Sequence, residues 1–326
     1  MKKLVDDTRL IYKCCYLYYQ DNMSQQEVCR FLGISRPTVS RMLQRGKELG
    51  IVKIELVNPD NVIYGQIEHD IEKEFHLQEV IIVPSSPLVI GGKTNKNSEL
   101  GKGALHFLER ILKDGDYVGV SMGSTLRTVV QTDYFISEKI GCTFVPVLGG
   151  VGESYLEFHA NYLCQRLARL FNAKCVQFFS PAVFSSEEVL QGFLKETTIA
   201  QIIRLYKDLQ VILLGIGVPD TQYSTILQTG YVDKRILHKF SHMGAVGDIV
   251  LRYFDIHGDT RPFDEFNKKV AGISLENLKK VPRRIGIAAG PQKAKAVLGA
   301  IRGGYVNNLI LDIDCAQALC DIKDKV

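Results

Sequence analysis

Ser35, Arg36, Pro37, Thr38, Ser40, Arg41 and Arg45 place guanidinium and hydroxyl donors on one side of a short helical stretch. Donors of this kind suit phosphates and base edges, and the N-terminal residues of a helix lying in the major groove reach those edges. Arg36, Thr38 and Arg41 are the better candidates for base contact. Arg45 and Lys47 are placed to meet phosphates or solvent. A second group of candidate residues lies in glycine-containing loops that follow apolar runs. Ser121, Gly123, Ser124 and Thr125 come after Tyr117–Val120 and before a helical pattern. Loop amides, hydroxyls and a helix N-terminus together suit an anion such as phosphate. A tight strand-to-helix turn with its cap is the plainer alternative. Leu148, Gly149 and Gly150 close another apolar run, Gly217 closes a third, and Lys293 follows Ala288-Ala289-Gly290-Pro291-Gln292. An ammonium there would neutralise a phosphate, although a lone loop lysine is more often simply solvated.

None of these loops matches the Walker or the dinucleotide-binding pattern. Gly119-Val120-Ser121-Met122-Gly123 does fit the G-x-S-x-G elbow of α/β-hydrolases, with Asp220 or Asp248 and then His257 following in order. No second hydrolase signal accompanies it, and a DNA reader is unexpected on a hydrolase. A sugar-phosphate isomerase would need a carboxylate base, for which Asp248 could serve.

The elements that must position these residues fall into two groups. In the first 57 residues, Asp7 and Thr8 cap a helix with apolar Leu10, Ile11, Cys14, Leu17 and Tyr18 at helical spacing, ended by Asp21-Asn22. Ser24-Gln25-Gln26-Glu27 is a capping box opening a second helix. Gly33 supplies a turn, Ser35 caps a third helix with Pro37 in its first turn, and Gly50 ends it. Val28, Leu32, Ile34, Val39 and Met42 are apolar where two crossed helices share a core. This is a helix-turn-helix. A hairpin that merely packs would explain the core positions but not the exposed donors. Val52, Ile54 and Leu56 alternate with polar residues and predict a short strand. Asn58-Pro59-Asp60 predicts a linker, and Ile63, Ile67, Ile71 and Phe75 predict a helix over about 60–76 that is either core or a connector to another subunit.

From residue 58 onward the pattern is β, α, β, α. Strands are predicted at Val80–Val83, Tyr117–Val120, Thr143–Leu148, Lys174–Phe178, Val211–Gly215, Ile285–Ala289 and Asn308–Asp312, with helices such as Glu99–Lys113 and Glu157–Phe171 between them. Continuous apolar strands alternating with helices imply a mostly parallel sheet covered on both faces. Ligands of such sheets sit outside the carboxyl ends of the strands.

Charge divides at the same boundary. The net charge is +4 over 326 residues, and residues 1–56 hold ten Lys/Arg against six Asp/Glu, leaving thirty of each in the rest. The whole positive excess therefore lies on the small module, as nucleic-acid binding requires. Hydrophobic residues make 46% and charged residues 23%, which excludes domain-scale disorder. No apolar run reaches the length of a membrane span, and Asp6-Asp7 rather than an apolar stretch follows Met1-Lys2-Lys3. The eight scattered cysteines lack C-x-x-C spacing, which fits reduced thiols in a cytoplasmic chain. His238 and His242 are the one i,i+4 histidine pair and lack an obvious third ligand; neither a metal nor a cofactor is expected.

Gly33-Ile34-Ser35-Arg36-Pro37-Thr38-Val39-Ser40-Arg41-Met42-Leu43, followed by Glu48-Leu49-Gly50-Ile51-Val52, resembles the DNA-binding domain of the SorC/DeoR-type bacterial sugar-responsive regulators. Val118–Leu126, Pro146–Gly150, Gly244–Ile249 with Phe254-Asp255, and Gly303–Asn307 occur in that family's order. The resemblance implies α/β architecture: a small helical helix-turn-helix domain (1–57), then a larger doubly wound, mostly parallel-sheet effector domain (58–326) resembling sugar-phosphate isomerases. It also implies that Ser121, Gly123, Ser124, Thr125 and Lys293 hold the phosphate of a phosphosugar, with Gly247 and Asp248 lining the same cleft. Met122 departs from the tryptophan common in the family. Leu148 stands where deoxyribonucleoside regulators carry an aldehyde-holding lysine, so no Schiff base forms there and a deoxyribose phosphate effector is disfavoured. The expected partners are operator double-stranded DNA, a phosphorylated sugar, and further copies of the chain as a homodimer or homotetramer, with no membrane.

Overall fold

The structure, a computed structural model, describes residues 7–54, 63–85, 98–137, 139–150, 155–221 and 224–322. The chain divides into two compact units, Met1–Val62 and Ile63–Val326.

In the first unit the capping signals act as their chemistry dictates. Asp7 accepts from the Arg9 and Leu10 amides at the start of α1 (Thr8–Tyr19). Ser24 and Glu27 form the reciprocal box that opens α2 (Gln25–Leu32), and Gly33 leaves it with φ 66°. The third helix, α3, spans Arg36–Glu48, and Gly50 follows with φ 68°. Ile11, Cys14, Cys15, Leu17, Val28, Val39, Met42 and Leu43 close one small core. The predicted strand at 52–56 is not formed at its described end: residues 51–54 are a bend and irregular backbone without a ladder partner. Alternation marks a half-buried strand only where a neighbouring strand exists to pair with it. Leu56 and the 58–60 turn lie outside the described residues.

Helices α1 and α3 approach each other closely at Gly46. A Cβ there would sit 2.3 Å from Cys15 Sγ. Gly46→Ala should therefore destabilise this unit by about 1–3 kcal/mol through overpacking. Urea unfolding followed by separate probes in the two units would show it. An unchanged midpoint for the first unit would contradict the packing argument.

The second unit opens with α4 (Gly65–Phe75), shorter than the predicted 60–76. Ile71 is buried and Ile67 and Phe75 pack on the core, whereas Ile63 is exposed, so the stripe serves the core. Two carboxylates complete the docking. Glu68 accepts from the Ile82 amide at 2.7 Å and Glu72 from the Val80 amide at 2.8 Å. These are the outward amides of β1 (Glu79–Val83), an edge strand whose open hydrogen-bonding groups would otherwise invite pairing.

Six more strands run parallel: β2 (Tyr117–Val120), β3 (Thr143–Pro146), β4 (Lys174–Cys175), β5 (Leu209–Gly217), β8 (Arg283–Ala288) and β9 (Asn308–Asp312). Their order is β1-β9-β8-β5-β2-β3-β4. An antiparallel hairpin not anticipated from the sequence, β6 (Gly247–Ile249) with β7 (Arg252–Phe254), pairs with the end of β5. The helices α5 (Glu99–Ile111), α6 (Ser124–Gln131) and α7 (Ala160–Leu170) follow β1, β2 and β3. Two apolar clusters line the two sheet faces, one including Val118, Val120, Leu213 and Ile287, the other Ile212, Leu214 and Leu309. The chain passes from β2 to β3 and β4 in one direction, then restarts at β5 on the other side of β2. The topological switch therefore lies between the carboxyl ends of β2 and β5, where such sheets bind ligands.

Candidate effector cleft and DNA-reading helix

At that switch lies a cleft. Its lining comes from the segment that follows β2, the carboxyl end of β5, the β6/β7 hairpin and Lys293. Gly123 has φ 128° and ψ 168°, a conformation open to glycine, and caps α6 with its own amide on the Phe158 carbonyl. Ser124 and Thr125 begin α6, so first-turn amides that lack helical partners border the cleft. Lys293 reaches the same point from the other side. Gly290, at φ 89°, turns the chain after β8, and its amide is held by the Asp312 carboxylate at 2.9 and 3.0 Å. The turn Pro291–Lys293 then sends the Lys293 ammonium to 3.1 Å from Thr125 Oγ1. Sequence reasoning missed Asp312, which had no motif to mark it.

Asp248 faces this cation. The residue is 5% exposed, and its Oδ1 has no hydrogen-bond partner among the described residues. Gly217 makes room for it: a Cβ on Gly217 would lie 2.0 Å from that oxygen. The buried Ser224 Oγ also lacks a partner among the described residues. The remaining wall is apolar, with Ile216, Val218, Ile226, Val250 and Leu251. Buried unpaired polar atoms are uncommon in folded chains, so two in one cleft leave hydrogen-bonding capacity open to a ligand or to water.

Burial pushes the Asp248 carboxyl up to about 7, while Lys293 and the Leu251 amide pull it back. Burial also lowers the Lys293 ammonium, against the carboxylates around it. An unfolded aspartate titrates near 3.9, so between about pH 4 and 7 the folded chain holds a proton that the unfolded chain has released. Stability must then fall as pH rises through that window, by on the order of a few kcal/mol, and the loss is complete above it. Asp248→Asn should remove this slope and stabilise the chain at pH 8. Thermal melts of both proteins from pH 5 to 8 would test this; parallel curves would contradict it.

In the DNA-reading unit, Ser35, Arg36, Pro37, Ser40, Arg41 and Arg45 are exposed on α3, and Thr38 is half-buried. Ser35 stands at the N-cap position, but its hydroxyl pairs with Thr38 Oγ1 at 2.8 Å instead of capping an amide. Arg45 forms a surface pair with Glu48 at 2.8 Å. Arg41 donates from Nε to the Pro37 carbonyl at 3.3 Å.

Residues 64–321 match the family model described as "Putative sugar-binding domain", and residues 16–60 match the MarR family. The chain is 30% identical to the sorbitol operon regulator of Klebsiella pneumoniae over 96% of its own length and 98% of that protein. It is 33% identical to the deoxyribonucleoside regulator of Bacillus subtilis (strain 168), over 93% and 94%. The crystal structure of the full-length Klebsiella regulator SorC superimposes with a TM-score of 0.70, covering 96% of this chain and 99% of that one. The chain belongs to the SorC family of sugar-binding transcriptional regulators. It thus joins a helix-turn-helix to a sugar-binding α/β domain.

Within this SorC-type regulator, Gly123, Ser124, Thr125, Gly217, Asp248 and Lys293 come together at the cleft. Five other sequence candidates do not line it. Ser121 is 1% exposed, and its hydroxyl accepts from the Gly215 amide at 3.0 Å, clasping β2 to β5. That commitment also leaves it unlike an exposed hydrolase nucleophile. Gly247 is a packing glycine, since a Cβ there would meet Ala296 Cβ at 2.7 Å. Leu148 is buried and bridges to Gly272, and Gly149 donates to the Ala271 carbonyl. Gly150 admits His159 and Tyr231, whose Nδ1 and Oη lie 2.5 Å apart. Small residues at strand ends serve close packing as readily as ligand binding, and the sequence does not separate the two. His238 and His242 are linked by a ring-to-carbonyl contact of 2.7 Å, and the described residues include no group of three or more metal-ligating side chains.

Proposed function

We propose that the chain is a cytoplasmic repressor of an operon for sugar or nucleoside catabolism, and that a phosphorylated sugar in the β2/β5 cleft sets its operator affinity. The observation that carries this reading is the convergence of the α6 N-terminus and the Lys293 ammonium on a cleft that also holds the unpartnered Asp248 oxygen. Cation and amide donors fit a phosphate; the buried carboxylate fits a sugar hydroxyl. The names of the relatives, a sorbitol operon regulator and a deoxyribonucleoside regulator, support the sugar or nucleoside context. No helix among the described residues is long and apolar enough to cross a membrane. The chain acts as a homodimer or homotetramer, because paired reading helices match paired operator half-sites. It is not an enzyme: the relatives are named as regulators, and the one serine in a hydrolase-like motif is buried and hydrogen-bonded.

A thermal-shift screen of sugar phosphates against the corresponding free sugars tests the reading. A ligand at 100 times its Kd adds about 2.7 kcal/mol to the stability of the domain that binds it. One phosphosugar should shift the melting temperature while its free sugar does not. If no phosphosugar in a broad panel shifts it, the phosphate assignment is wrong.

A further inference from the structure

The tip of the β6/β7 hairpin is built against its own backbone preference. Ile249 pairs with Arg252, so the connecting loop is just Val250-Leu251. Both residues have positive φ, 47° and 61°. A two-residue hairpin loop of this kind normally takes Asn-Gly or Asp-Gly, because a β-branched or bulky side chain is strained there. Among the described residues these are the only aliphatic side chains in the left-handed region.

The surroundings hold the strain in place. Arg252 donates to the Val250 carbonyl at 3.2 Å and to the Val270 carbonyl at 3.0 Å. Asn267 clasps the Tyr253 backbone from both sides, at 2.9 and 3.0 Å. The Leu251 amide donates to the Asp248 carboxylate. Strain that is over-determined in this way persists at functional sites. Both residues, themselves almost wholly buried, line the effector cleft together with Asp248. With Ile216, Val218 and Ile226 they make its wall aliphatic, and the free side-chain polar atoms there, outside the phosphate end, are Asp248 Oδ1 and Ser224 Oγ. A sugar hydroxyl pressed on the aliphatic part of that wall, out of reach of those two atoms, would lose its water without finding a partner.

We infer that Val250 and Leu251 are specificity-determining residues that select a phosphorylated sugar lacking a hydroxyl on the edge that meets them. The inference rests on the phosphosugar reading above. It requires no covalent bond at Leu148, which is buried away from the cleft.

The test is calorimetric titration of the full chain with two matched pairs, 2-deoxyribose 5-phosphate against ribose 5-phosphate and 2-deoxyglucose 6-phosphate against glucose 6-phosphate. An apolar pocket rejects an isostere that adds a hydroxyl by up to about 100-fold. In at least one pair the deoxy compound should bind about 10- to 100-fold more tightly. Val250→Thr, which keeps the shape and adds a hydroxyl, should cut that ratio at least fivefold. Leu251→Asn gives a second reading in a residue that tolerates positive φ, should the first variant fail to fold. If the hydroxylated member binds as well or better in both pairs, or if a folded variant leaves the ratio unchanged, the turn is only structural and the inference is wrong. If none of the four binds while another phosphosugar does, the inference fails and the phosphosugar reading stands. If no phosphosugar binds at all, both fail together.

Discussion

Lys293→Ala should weaken phosphosugar binding by at least about 100-fold and leave operator binding intact. The ammonium lies 3.1 Å from Thr125 Oγ1, at the mouth of α6. It is the cation that opposes Asp248 across the cleft, and it lowers that carboxyl against the effect of burial. Truncating one partner of a buried, hydrogen-bonded charge pair costs about 2–5 kcal/mol of binding. Without the ammonium the Asp248 carboxyl rises further and holds its proton, so the loss is that of the cation's own contact with the phosphate. Lys293→Met keeps most of the packing volume and should give the same loss, which separates charge from cavity effects. Titration of the chosen phosphosugar into wild type and both variants reads the result directly. A Kd within threefold of wild type in Lys293→Met would remove Lys293 from the phosphate site.

Arg41→Ala should act in the opposite sense. Operator affinity should fall by about 5- to 150-fold, the range for one base-contacting arginine at 1–3 kcal/mol, while the phosphosugar Kd is unchanged. Arg41 is exposed on α3, and its Nε donates to the Pro37 carbonyl, which orients the guanidinium along the helix toward its N-terminal turn. Arg45→Ala should cost less and reduce the salt slope, since Arg45 already shares its charge with Glu48 in an exposed pair. Fluorescence anisotropy with a duplex selected by the chain from a random pool, at two salt concentrations, distinguishes the two. Equal losses at both positions, with equal slopes, would mean that Arg41 contacts phosphate rather than a base.

The parallel sheet was legible because six of its seven strands carry apolar runs, as burial on both faces demands; at the edge, the strand predicted over Lys174–Phe178 forms just at Lys174-Cys175, which are not buried. The capping residues Asp7, Ser24 and Gly33 marked their helices because each supplies or frees a backbone group at a defined place. The β6/β7 hairpin escaped notice for the converse reason. Its strands have three residues each, and its loop carries two aliphatics where turn chemistry expects Asn-Gly. The strand predicted at 52–56 had the right alternation but no ladder partner at residues 51–54. In the site, residues 123–125 and Lys293 were legible from a strand, a glycine, hydroxyls and a cation in loops at one sheet edge. Ser121 and Leu148–Gly150 satisfied the same pattern and turned out to clasp strands or admit neighbours, because close approach and ligand access both select small residues. Ser224, Val250 and Leu251 carry no motif; only their convergence on Asp248 brings them into the site.

Effector control requires that the cleft and the reading helix share one equilibrium. By linkage, a phosphosugar that changes operator affinity by a given factor has its own affinity changed by the operator by the same factor, with typical factors of 5–150. The most direct test is the operator Kd measured by anisotropy with and without the phosphosugar found by thermal shift, in wild type and in Lys293→Met. The wild type should lose operator affinity at least fivefold when the phosphosugar is present, and Lys293→Met should hold the same Kd in both conditions. An operator Kd that saturating phosphosugar leaves unchanged in the wild type would contradict the proposed control.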